Sequence, residues 1–164
     1  MKLGFALAAA TGLLVAPAAV AQVTCDDLTR AMYEADNDFD DILGDEIDID
    51  WYEATFLMTG TRDCTVEYPD DSYYVCTWTY DNLSASQAAY DRLASAGRSC
   101  LSSWDVKTIP SGSRNSLGFQ TISGLRFVGS GEFRDMEWSF LLGEHTTKDG
   151  THYDVEAELA YFWF

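Results

Sequence analysis

Two histidines, His145 and His152, are the only imidazoles in this sequence, and they flank the polar stretch Thr147-Lys148-Asp149-Gly150. If the segments on either side pair as a hairpin with Leu142 facing Val155, the two rings stand opposite each other. They then share a polar face with Asp154 and Glu156, because strand side chains alternate. Imidazole nitrogen and carboxylate oxygen are donors that zinc and copper accept. His145, His152 and Asp154 are therefore the candidate metal ligands. The sequence offers no evident fourth donor, and histidines beside an exposed turn also occur with no metal at all.

A denser set of carboxylates lies between Glu34 and Asp50. Asp36, Asp38 and Asp40 fall on the first, third and fifth positions of an EF-hand-like loop, a pattern that gathers oxygen ligands for calcium. The pattern then breaks. Asp41 stands at the sixth position, where glycine makes the turn, and Ile47 at the twelfth, where a bidentate glutamate belongs. The stretch reads as a solvated acidic face, with loose binding of divalent cations as the alternative.

Nucleophile and phosphate motifs are missing: there is no G-x-S-x-G, no H-E-x-x-H and no C-x-x-C. Gly124, Gly129 and Gly131 lack the strand–loop–helix setting of a phosphate cradle. Carboxylates are plentiful, but abundance does not place an acid opposite a base. No catalytic residue and no cofactor is assigned, and a non-enzymatic role is the expectation.

The elements that must position these residues begin after a secretory leader. Residues 1–21 carry one positive charge, an Ala/Leu/Val-rich core and Ala19-Val20-Ala21 at their end, the features of a cleaved bacterial signal peptide. Residues 22–164 then form one α+β domain, secreted to the periplasm or the medium. Cleavage removes Lys2 and no acid, so nine basic residues face 27 acidic ones, a balance of −18. That charge disfavours nucleic acid and anionic membranes as partners, and no membrane insertion is expected. Cys25, Cys64, Cys76 and Cys100 survive cleavage, and an even count in an oxidising compartment predicts two disulfides. Three connectivities are open; hairpin geometry favours Cys64–Cys76 with Cys25–Cys100.

The central hairpin is Asp63–Tyr80, turning at Pro69-Asp70-Asp71, with Cys64 facing Cys76 and Val66 facing Tyr74 on its apolar face. A first helix starts at the cap Thr24, with Asp27 completing a capping box. Its stripe Leu28, Met32, Ala35, Phe39 and Ile42 runs to about Leu43, with Gly44 as the C-cap. A strand follows over Trp51–Met58. A second helix starts at Ser84, with Gln87 as its capping-box partner and a Leu83–Ala88 staple, and ends near Gly97. Strands are predicted over Trp104–Ile109, Phe119–Val128, Asp135–Gly143 and His152–Phe164, with Pro110–Gly118 as the one long polar loop. The order α-β-β-β-α-β-β-β(-β) gives antiparallel sheet packed with two helices.

This architecture is of the kind used by small secreted inhibitor and immunity proteins, an analogy at the level of fold alone. The leading expectation is an acidic, non-enzymatic module that binds a protein with a basic surface. Asp36, Asp38, Asp40 and Asp41 would steer the encounter while Trp51, Tyr52 and Tyr73 anchor it. The alternatives are a small hydrolase or metal-dependent enzyme built on His145 and His152, and a protein that binds divalent cations loosely. Oligomeric state is left open.

Overall fold

The computed structural model describes residues 22–67, 72–113, 119–148 and 150–162. The expected signal segment, the turn at Pro69-Asp70-Asp71, residues 114–118 of the long loop, Asp149 and the last two residues lie outside this set. Helix α1 spans Cys25–Ala35 and α2 spans Leu83–Cys100. The strands are β1 (Leu43–Asp48), β2 (Trp51–Ala54), β3 (Asp63–Glu67), β4 (Ser72–Tyr80), β5 (Asp105–Ile109), β6 (Gln120–Val128), β7 (Met136–Thr147) and β8 (Gly150–Tyr161). They form one antiparallel sheet in the order β1-β2-β3-β4-β8-β7-β6-β5. Each helix precedes a four-strand meander, and the two meanders join where β4 pairs with β8. The class is α+β, as expected, with one strand more in the first meander.

Both expected registers are present. Cys64 pairs with Cys76 and Val66 with Tyr74, while Leu142 pairs with Val155 and His145 with His152. Disulfides join Cys64 to Cys76 and Cys25 to Cys100, the second tying the start of α1 to the end of α2. The helices cover one face of the sheet, where Val66, Tyr74, Trp138, Phe140, Leu142 and Leu159 are fully buried. Their approach is close at Gly97 of α2. A side-chain carbon there would lie 2.9 Å from Phe127 Cζ and nearer still to Phe140. Gly97 therefore serves packing within the helix rather than ending it.

Helix α1 is shorter than its apolar stripe predicts. Its start follows the capping box: Thr24 N–H donates to Asp27 Oδ2 at 2.8 Å, and Asp27 N–H donates to Thr24 Oγ1 at 3.2 Å. Its end is a Schellman-type closure, with Phe39 N–H donating to Glu34 O and Asp38 N–H to Ala35 O. Asp38 and Phe39 have φ of 55° and 59°, so the chain turns back before Gly44 is reached. Asx residues compete for backbone bonds and their like charges repel at helical spacing, which weakens this segment as helix. Phe39 gains more elsewhere: it is fully buried, its ring stacked 6.0 Å from that of Tyr74. Leu43–Asp48 then becomes edge strand β1, with two register shifts against β2.

Two smaller differences have local causes. The cap of α2 is Asn82, whose Oδ1 accepts from Ala85 N–H at 2.9 Å, so Ser84 lies inside the first turn and exposed Leu83 forms no staple. Strand β2 stops at Ala54, yet Phe56 and Met58 remain buried in the alternation predicted for Trp51–Met58. Tyr74 holds that extension, its O–H donating to Phe56 O at 3.1 Å. Among the described residues no helix is long and apolar enough to cross a membrane.

Candidate functional site

Alternation along β8 sends Val155, Ala157 and Leu159 to the helix-covered face and Asp154, Glu156 and Glu158 to the opposite, open face. Because β8 lies between β4 and β7, these carboxylates stand at the middle of an eight-stranded sheet. Asp154 lies between Thr79 and Gly143, Glu156 between Thr77 and Leu141, and Glu158 between Val75 and Ser139.

This face is not uniformly open. The Phe119 ring packs where a side-chain carbon on Gly143 would stand, and Phe119, Leu141, Ser139 and Thr121 are all buried. Glu156 is buried with them, at 7% exposure. Among the described residues neither a hydrogen bond nor a cation reaches its carboxyl. Burial therefore pushes it up to about 7, and the charges of Glu158 and Asp154 add to the shift. Glu158 is also raised, first by burial and then by Glu137, with Arg126 opposing and Glu67 adding. Asp154 Oδ1 is buried without a hydrogen-bond partner among the described residues.

Two cations of this face are committed elsewhere. Arg126 Nε lies 2.9 Å from Glu137 Oε1, and Lys107 Nζ lies 3.8 Å from Asp105 Oδ2. Even so, burial raises Glu137 against the pull of Arg126 and Lys107. On the other side of the carboxylates, β3 begins only at Asp63 while β4 runs on to Tyr80. A cleft of about 360 Å³ opens there, lined by Gly60, Arg62, Asp63, Thr77 and Thr79 among others. Thr77 and Thr79 are the cross-strand partners of Glu156 and Asp154, so the cleft adjoins the carboxylate column.

The residues expected to bind fall on separate surfaces. Trp51 pairs with Glu67, and Glu67 with Tyr73, which puts both aromatics in one row of the open face. Tyr52 pairs with Val66 and belongs to the helix-covered side. Asp36, Asp40 and Asp41 are exposed on the turn after α1, and Asp38 is half-buried there. Burial raises the Asp38 carboxyl, with Asp40 and Asp36 adding to it. His145 and His152 face each other at the hairpin end of the open face, with Asp154 two residues along β8. His152 Nδ1 has Asp81 Oδ1 3.8 Å away. Among the described residues no three histidine, cysteine, aspartate or glutamate side chains gather closely enough to hold a metal ion.

Glu158, Glu137 and Arg126 were not singled out by sequence, and Glu156 was placed only as a neighbour of the histidines. A signal was available: Asp154-Val155-Glu156-Ala157-Glu158-Leu159 sets three acids at period two inside a long apolar strand.

No family model, no curated protein and no solved structure matches this chain, so its function is argued from these residues. Two disulfides across α1, α2, β3 and β4 mark a protein of an oxidising, extracytoplasmic compartment.

Proposed function

We propose that the chain is exported by a cleaved leader at residues 1–21 and acts in the periplasm or medium as a non-enzymatic, acidic module that binds a basic protein. One observation carries this reading: among the described residues Glu156 is nine-tenths buried with neither cation nor hydrogen bond, between two further carboxylates on a strand in the middle of the sheet. A carboxylate held at such cost is a mark of a binding or reacting site. An incoming cation would relieve it. Trp51 and Tyr73 flank the site in one row and supply aromatic contact area, and the exposed Asp36–Asp41 turn adds long-range attraction. An inhibitor or immunity role is the form this takes if the partner is a secreted enzyme or toxin.

The test is capture from periplasm and medium on immobilised, oxidised protein at low and moderate salt, with Glu156→Gln/Glu158→Gln as a parallel bait. One partner retained at moderate salt by the wild type and lost by the double variant is the expected result. A diffuse basic set that washes off both baits equally overturns the proposal.

A further inference from the structure

We propose, resting on the protein-binding reading, that the open face takes an extended basic segment whose lysine or arginine side chains at alternate positions meet Asp154, Glu156 and Glu158. The three acids recur every second residue of β8, about 6.8 Å apart at roughly 3.4 Å of rise per residue. Another extended chain repeats at the same spacing, so its alternate side chains match the column one for one. Ionised carboxylates offer only acceptors, which selects a ligand rich in N–H donors. A divalent metal needs several oxygens on one point, and no three such groups converge among the described residues. Two cations of the face are already engaged, Arg126 with Glu137 and Lys107 beside Asp105, and Arg62 lines the neighbouring cleft.

The cleft beside β4 gives the segment a seat. It adjoins Glu156 and Asp154 through Thr77 and Thr79, whose hydroxyls both donate and accept, and Asp63 adds a further carboxylate at its rim.

Binding of this kind depends on pH. The charged and titratable groups of this face are Asp154, Glu158 and His152 on β8, Glu137 and His145 on β7, Arg126 on β6, Lys107 on β5, Asp63 and Glu67 on β3, and Arg62 in the cleft before β3; β4 presents Thr77 and Thr79. Burial first, and then the charges of Glu158 and Asp154, keep a proton on Glu156 near neutrality. A basic ligand displaces that proton, and its affinity rises as the pH passes upward through about 7.

The probe is a capped heptapeptide of alternating threonine and arginine, titrated into the oxidised protein by calorimetry. Backbone amide shifts of β4, β7 and β8 are followed in parallel. The expected result is saturable binding near pH 8, weakened about tenfold near pH 5.5 and about tenfold by Glu156→Gln/Glu158→Gln. A peptide of the same composition with its arginines contiguous, and free spermidine, should each bind more weakly than the alternating peptide. No saturable binding by the wild type overturns the inference, as does equal binding by the double variant. Equal affinity for all three probes overturns the extended-segment geometry. A wild type that binds the peptide but captures no protein sinks the partner-binding reading alone. Specific capture of a protein without peptide binding sinks this inference alone.

Discussion

The turn at Asp36–Asp41 and the β8 column Asp154–Glu158 are both rich in carboxylate, but the turn's are solvated apart from Asp38, whereas burial raises Glu156 and Glu158 on the column. Three of the four aspartates on the turn are exposed, and the chain's path there is explained by Phe39, a buried apolar anchor. On β8 no apolar demand explains the acids: Glu156 occupies a buried position opposite Leu141, where leucine or valine would pack. A solvated carboxylate costs little and so carries little information about function. A desolvated one without a partner must be maintained against a continuous destabilising pressure. Charge density by itself would direct attention to the turn; the energetic cost directs it to the sheet.

The sharpest way to break this comparison is at the turn's anchor. Phe39→Ala removes a fully buried ring stacked on Tyr74 and should lower stability by about 3–5 kcal/mol in urea denaturation. A loss below about 1 kcal/mol would mean that the acids, not the ring, dictate the turn, and the two regions would no longer differ in kind.

The second test addresses the column. Folding raises the Glu156 carboxyl from 4.5 to about 7. Between those values the native state keeps a proton that the unfolded chain has released. Stability from this group is therefore fully present below about 4.5, falls as the pH rises toward 7, and is flat above it. Glu156→Gln abolishes that fall. The stability of the variant relative to wild type should grow by about 2–3 kcal/mol between roughly pH 4 and pH 8, read from paired melts at each pH. A pH-independent difference would show that Glu156 is solvated after all, and the column would join the turn as cheap surface charge.

How far each region could be read from sequence follows from the distance over which its structure is decided. The α1 capping box, both hairpin registers and the local Cys64–Cys76 bond depend on residues close along the chain, and all of these were legible. The end of α1 was not, because the periodic stripe through Phe39 and Ile42 satisfies a helix as well as it satisfies the turn that replaces it. The choice falls to Tyr74, a residue of β4 far along the chain from the turn. Strand β1 follows from the same choice, since residues released from the helix pair with β2. Asn82 in place of Ser84 at the head of α2 was decidable locally; two good capping residues stood close together. Glu156 was visible as an outward-facing acid and invisible as a buried one. Its burial needs β4 on one side and β7 with buried Leu141 on the other.

The smallest expected effect belongs to the turn's own charges. Replacing Asp36, Asp38, Asp40 and Asp41 together by asparagine keeps the side-chain shapes and removes four negative charges. Asp38 is held up by burial and by the neighbouring charges of Asp40 and Asp36, so neutralisation relieves repulsion and costs no ion pair. Stability should change by no more than about 0.5 kcal/mol, toward the stable side. Asparagine also adopts the left-handed backbone at position 38, so the turn should persist. Once a partner is in hand, stopped-flow association should slow and lose part of its salt dependence, while dissociation stays unchanged. The Glu156→Gln/Glu158→Gln pair should do the reverse, speeding dissociation far more than it slows association. If both variants act on association alone, the two surfaces are one electrostatic field and the sheet face holds no contact of its own.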